Sequence, residues 1–470
     1  MKPKILLPAL ILSATVLCSC VTQDKSLPDQ TDTVETYEGF DGIPDLGASG
    51  SFVQDEELAK AAACRLGVPD NLVRAYIVTE QNAGEIDTWV SSLQDNGYYE
   101  CPTVFGNETI VMKNAAGDSG VMYGYSNTDS GEQTDRFLLM LADPSLYKQY
   151  IDLDYNSVVT QWCNENNDGM VLVKDGWIYG ATFNDNGYNV FMTERTNGQD
   201  RSILNESHAA VRIGVSGEYI YMISLNTENG ANNSPSLARC KLGGNEYEEL
   251  TPENISARTL QVQNGKLYYC AGIQGENDVS DDFFRFCDLD GSNGDIALEK
   301  EIYYPYVIGA ELYYQDDKGG EFEHCMNLLT MQDVTLTADK TYGFVRDNEC
   351  AYYICNDNSC SEGDYIGTLN KIDLSTGDIT VLYDTVDTAS FVLSGDTLFF
   401  SNPSDGGKVY GVDKNGDGIR LISKDDNSST IYCYGDSLVY YSYIIEEDSK
   451  YIEGIYISSL DGSNRTQLNW

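Results

Sequence analysis

A period of about 43 residues, an aromatic strand in every period and a Gly-containing turn beside it predict a mainly β protein. The expected architecture is a seven-bladed β-propeller, with six blades as the alternative, preceded by a small N-terminal α+β domain. The aromatic strands read GWIYG from Gly176, EYIYM from Glu218, KLYYC from Lys266, ELYYQ from Glu311, CAYYI from Cys350, TLFFS from Thr397 and SLVYY from Ser437.

The chain opens MKPKILLPALILSATVLCSC: Lys2 and Lys4, an apolar run from Ile5 to Leu17, then small residues before Cys20. This is the pattern of a secretory signal. The apolar run is thirteen residues and contains Pro8, short of the roughly 20 that a helix needs to cross the hydrocarbon core. Leu17-Cys18-Ser19-Cys20 resembles the bacterial lipobox, and the resemblance implies that Cys20 is lipidated and becomes the mature N-terminus. Cys18 does not fit, because Leu17 is too bulky for the position before the cut. Residues 1–20 are therefore read as a lipoprotein signal and residues 21–51 as a flexible polar tether. The expected location is extracytoplasmic, with the membrane reached through the lipid anchor.

Residues 52–158 lack the repeat and read as the small α+β domain. DEELAKAAACRLGVPDN predicts a helix from Asp55 to Leu66, ended by Gly67 and Pro69. NLVRAYIVTE, GYYECPTVFG and ETIVMKN predict strands separated by Asn/Gly turns. The stretch SVVTQWC, Ser157 to Cys163, is open to a second reading as a closing strand for the last blade.

Residues 159–470 carry the propeller. A four-stranded sheet of this size cannot hide both of its faces alone, and stacking blades around an axis does so. Most of the 34 tyrosines are thereby explained as packing between sheets. DKNGDG, from Asp413, imitates a calcium loop, yet it stands where the sibling units carry TNG, LGG, LDG and STG. It is the turn between third and fourth strands, where Asn-Gly and Asp-Gly supply positive φ. An EF-hand needs Glu at its twelfth position, and here that residue is Lys424. A shallow calcium site in this turn is the alternative; otherwise no cofactor and no metal are expected.

With 74 acidic against 29 basic side chains the net charge is −45, which excludes nucleic acid as a partner. Setting aside Cys18 and Cys20, eleven of the 13 cysteines remain, an odd number. Most read as small buried hydrophobes, while Cys355 and Cys360 are spaced to close a small loop. The two histidines, His208 and His324, lie in separate blades and read as structural. Gly117-Asp118-Ser119-Gly120 imitates the nucleophile motif of chymotrypsin-like proteases, but both histidines follow it in the chain, and a turn explains it. No catalytic residue is assigned.

The last unit, LVYYSYIIEEDSKYIEGIYISSLDGSNRTQL, is similar to the YWTD repeat of low-density-lipoprotein-receptor propellers, most clearly at Leu460, Asp461, Gly462, Ser463 and Arg465. It looks still more like the receptor-like propellers of unknown function on secreted bacterial proteins. The second strands depart from the receptor pattern, with Tyr and Phe replacing Trp-Thr-Asp, and the seven units exceed that family's six.

In an antiparallel blade the turns joining strands one to two and three to four fall on one face of the disc. The two-to-three loops and the blade connectors fall on the other. The long variable loops belong to that second face, where binding is expected. Its candidate ligand-binding residues are Asn229, Asn233, Glu276, Asp278, Asp357, Glu362, Asp364, Glu446 and Glu447. The resulting expectation is a bacterial cell-surface lipoprotein that presents an acidic propeller as a binding module for a protein, peptide or glycan. The alternative from another class is a carboxylate-dependent extracellular glycan hydrolase or lyase working in the propeller funnel.

Overall fold

The computed structural model describes residues 35–40, 42–128, 131–183, 189–196, 201–205, 208–226, 235–250, 255–273, 283–316, 320–356, 366–387, 390–446 and 449–468. In the N-terminal part, strand β1 (Val53–Gln54) leads to helix α1 (Glu56–Leu66). Asp55 caps α1 by accepting the Leu58 amide, and Gly67 ends it at φ 75°. Strand β2 (Val73–Ile77), helix α2 (Ala83–Asp95) and strands β3 (Tyr98–Cys101), β4 (Thr109–Asn114), β5 (Gly120–Asn127) and β6 (Gln133–Ala142) follow, then the short helix α3 (Pro144–Tyr150). The six strands form one antiparallel sheet in the order β1-β2-β6-β5-β4-β3. Gly117-Asp118-Ser119-Gly120 is the turn into β5, with Asn114 Oδ1 accepting the amides of Gly117 and Asp118 at 2.9 and 3.2 Å.

One face of this sheet is covered by α2, whose Trp89 meets Tyr123 and Phe137 edge-on. The other face shares a core with the C-terminal part: Met122, Leu138 and Met140 lie in one buried cluster with Tyr268, Phe286 and Leu329.

The C-terminal part is built from seven four-stranded antiparallel sheets, each made of four consecutive strands. Sheet 1 spans Val171–Asn205, sheet 2 His208–Glu249, sheet 3 Ile255–Leu298, sheet 4 Ile302–Thr335, sheet 5 Thr341–Asp387, sheet 6 Phe391–Leu421 and sheet 7 Ser428–Gln467. Each of the seven aromatic stretches contributes the second strand of its sheet. First strands lie against one another from sheet 1 through sheet 5 and between sheets 6 and 7, so they converge on an axis and the short fourth strands point outward. This is the β-propeller arrangement. Sheet 7 also meets sheet 1: Val171 and Ile178 are buried with Tyr432, Val439 and Ile457, and the Tyr434 hydroxyl donates to the Val171 carbonyl.

DKNGDG joins the third and fourth strands of sheet 6, Lys408–Asp413 and Arg420–Leu421. Asp413 Oδ1 accepts the amides of Asn415 and Asp417, both at 2.9 Å, and Gly416 and Gly418 take φ of 86° and 65°. The carboxylate is thus spent on its own turn. Of the ten described cysteines eight are buried; Cys355 is one of them, and Cys360 lies outside the described residues.

The closing-strand reading of SVVTQWC is corrected. Val159–Asn166 is a helix, α4, lying inside the ring against the first strands of sheets 4 to 7. Its residues Val159, Trp162, Cys163 and Asn166 are buried at the i, i+3, i+4, i+7 spacing of a helix face, which wins over the apparent strand alternation, and Asn164 is buried with them.

The N-terminal sheet sits on the short-turn face of the disc. Gln149 Nε2 donates to Asn264 Oδ1 at 2.6 Å and the Tyr155 amide to Asn348 Oδ1 at 2.9 Å; both partners lie in turns between first and second strands. Arg65 Nε donates to the Leu328 carbonyl at 2.8 Å and the Asn127 amide to the Thr330 carbonyl at 2.7 Å, in a turn between third and fourth strands. Two glycines permit this approach: a Cβ on Gly67 would lie 2.8 Å from the Asn264 carbonyl oxygen, and one on Gly309 would lie 2.7 Å from that of Gln149.

Candidate binding cleft

Between the N-terminal sheet and the short-turn ends of sheets 4 and 5 lies a cleft of about 810 Å³, inside the range of small-ligand sites. Its apolar wall is formed by Val104, Val111, Leu153, Leu336, Phe344 and Ile372. Its polar groups come from four distant segments of chain: Lys113 on β4, Asp152 and Tyr155 after α3, Glu311 on sheet 4, and Arg346, Glu349, Lys371 and Asp373 on sheet 5.

At the floor, Glu311 is 8% exposed. Its Oε2 accepts the hydroxyls of Tyr155 at 2.5 Å and Tyr313 at 2.6 Å. The Arg346 guanidinium lies over the Tyr155 ring, 3.9 Å from its centroid, and donates through Nη1 to the Tyr313 hydroxyl and through Nε to the Asp347 carbonyl, each at 3.3 Å. Burial works against the Arg346 charge, but Tyr313, Tyr155 and Glu311 outweigh it and hold its proton more firmly than usual. Burial and the Glu311 charge push the Tyr155 phenol far above its ordinary value, so it stays a donor.

On the opposite wall Lys113 Nζ reaches Asp152 at 2.9 Å, and Lys148 holds the other oxygen. Lys148 and then Lys113 keep the Asp152 carboxyl below the usual carboxylate range. The two thiols in the cleft, Cys101 and Cys350, are both pushed up by burial, which makes them poor nucleophiles. Neither histidine lines the cleft. His208 stacks on Tyr247, and His324 lies in the third strand of sheet 4 with Nδ1 3.2 Å from Asp333.

The propeller axis holds a second polar group. Glu165 of α4 accepts from Gln161 at 3.0 Å through Oε1, while Oε2 is enclosed without a partner among the described residues. Burial raises this carboxyl to about 8, against the opposing effects of Gln161 and Arg212. At the C-terminal end of α4, Asp168 pairs with Arg212 at 2.7 Å.

None of the residues expected to bind ligand is among the described residues that line this cleft. Asn229, Asn233, Glu276, Asp278, Asp357, Glu362, Asp364 and Glu447 lie outside the described residues, as does Cys20. Glu446 ends the second strand of sheet 7, with its backbone in register with Ser449. Its segment is therefore the end of a long hairpin, Ser437–Glu446 and Ser449–Ser459, rather than an open loop. Glu311, Arg346 and Lys371 were not legible as site residues, because each belongs to an ordinary-looking strand and only the N-terminal sheet turns their side of the disc into a cleft. Among the described residues no three His, Cys, Asp or Glu side chains converge as metal ligands, and no helix is long and apolar enough to cross a membrane.

No protein-family model matches the chain, and no curated protein matches it. Solved structures do resemble it. A puromycin-hydrolyzing peptidase of Mycobacterium tuberculosis is 11% identical over 67% of this chain and 56% of its own, with a TM-score of 0.47. The β-propeller domain of the trilobed protease from Pyrococcus furiosus is 13% identical over 64% of this chain and 96% of its own, with a TM-score of 0.44. TolB from Acinetobacter baumannii is 13% identical over 63% of this chain and 78% of its own, with a TM-score of 0.38. The chain thus spans little more than half the length of the peptidase. These likenesses are of fold.

Proposed function

We propose that this protein is an extracytoplasmic binding module, anchored through lipid on Cys20, whose seven sheets close into a seven-bladed propeller and whose ligand, a peptide or glycan, sits against the N-terminal sheet. The observation that carries the reading is the cleft itself: about 810 Å³, apolar on one side, with Glu311, Arg346, Tyr155 and Tyr313 held by one another at its floor. Rigid polar groups on an apolar wall suit recognition. The contacts of Val171 and Ile178 with sheet 7 support ring closure. Replacing Cys20 with Ser and following incorporation of labelled palmitate tests the anchor: loss of label is expected, and retained label refutes it.

A glycan hydrolase or lyase in the funnel draws on one observation, the raised carboxyl of Glu165. It is the weaker reading, because α4 occupies the axis and packs against four of the first strands. Turnover of any glycan that disappears in Glu165→Gln would favour it.

A further inference from the structure

In a chain with 74 acidic and 29 basic side chains, a cation usually finds a carboxylate. Lys113, Lys148, Lys340 and Lys414 all do, at 4.0 Å or less. Arg346 and Lys371 line the cleft and form no ion pair among the described residues. Arg346 uses two of its five N–H groups, on the Asp347 carbonyl and the Tyr313 hydroxyl. Among the described residues the Lys371 side chain makes one hydrogen bond, to the Lys414 carbonyl at 3.2 Å.

The cleft carboxylates are differently placed. Asp152 is held by Lys113 and Lys148, Asp373 accepts the Ser375 and Thr376 amides at 2.9 and 3.1 Å, and Glu311 is capped by two phenols. Only Glu349 remains, on the exposed rim. Three of the five N–H groups of Arg346 are thus left open, while both oxygens of Asp152, Oδ1 of Asp373 and Oε2 of Glu311 already carry partners. Tyr155, stacked beneath Arg346, fixes the plane of its guanidinium, as two-point capture of a carboxylate requires.

Resting on the cleft reading above, we infer that the ligand carries a carboxylate, which Arg346 and Lys371 hold while the wall of Val104, Leu153 and Phe344 takes its apolar body. A peptide C-terminus and an acidic sugar supply the same chemistry. Calorimetric titration of the full chain with Ala-Phe-Leu and its C-terminal amide, and with trigalacturonate and its methyl ester, separates the sources. The acid of one pair is expected to bind about tenfold or more tightly than its neutral form, a difference that Arg346→Met and Lys371→Met each erase. Arg346→Lys keeps the charge without the fork and should retain part of it. Val104→Trp, which fills the cleft, should abolish binding of both forms. Equal affinity of acid and neutral form, lost in Val104→Trp, overturns the carboxylate inference and leaves the cleft reading intact. Binding that survives Val104→Trp, or no binding of any of the four compounds, overturns both.

Discussion

Asn164 meets the backbone of Cys433 twice: Nδ2 donates to its carbonyl at 2.7 Å and Oδ1 accepts its amide at 2.9 Å. The side-chain amide therefore does what a neighbouring strand does along a ladder. Propeller blades leave inward-facing edges on their first strands, and unpaired backbone groups there are costly. Helix α4 satisfies three of these edges with asparagine: Asn166 bonds the Phe344 carbonyl, and Asn167 bonds those of Phe391 and Ile431.

Asn164→Ala is accordingly expected to destabilise the fold by about 1–3 kcal/mol, since it strands a buried N–H and a buried C=O together. Urea unfolding of the full chain checks this. A loss of only a few tenths would mean that water takes the place of the amide.

Glu165 carries a pH dependence. Its folded-state value is about 8, above the ordinary value of 4.5, so the native state holds a proton that the unfolded chain releases. Stability from this group is fully present below about 4.5 and declines as pH rises toward 8. Glu165→Gln should flatten that decline and be the more stable form at pH 8, read as Tm against pH for both proteins.

The N-terminal sheet and the propeller share a core, so they should unfold together. Gly309→Ala puts a methyl group 2.7 Å from the Gln149 carbonyl oxygen at a φ of 58°, and a loss of more than about 1 kcal/mol is expected. A polypeptide of residues 35–158 alone would expose Met122, Leu138 and Met140 and is expected to aggregate. A soluble, cooperatively folding fragment would contradict the shared core.

Asp413 serves its own turn, so calcium and chelator should give the same Tm, while Asp413→Ala lowers it by removing the oxygen that accepts two backbone amides at 2.9 Å. A calcium-dependent Tm that Asp413→Ala abolishes would restore the metal reading.

The repeat was legible because blade geometry writes itself locally: an aromatic second strand, an Asn-Gly or Asp-Gly turn and a period near 43 residues all lie within one unit. Helix α1 was equally plain, with Asp55 and Gly67 at its ends. Strand β6 was not, since FLLMLA is buried on both faces and loses the alternation that marks a half-buried strand. Helix α4 was misread for a related reason: SVVTQWC carries strand-like apolar residues, and the asparagines that follow show their role only where the first strands of sheets 4 to 7 pack around them. The cleft was illegible because it joins β4, the segment after α3, and sheets 4 and 5, separated by up to about 260 residues, and nothing in a single sequence pairs Tyr155 with Glu311.

Thermal unfolding of the full chain and of Val104→Trp against a panel of peptides and glycans tests the central claim most directly. A ligand present at 100 times its Kd adds about 2.7 kcal/mol of stability. The cleft account predicts a raised Tm in the natural protein and none in Val104→Trp; a ligand that raises the Tm of both equally would place binding elsewhere and contradict it.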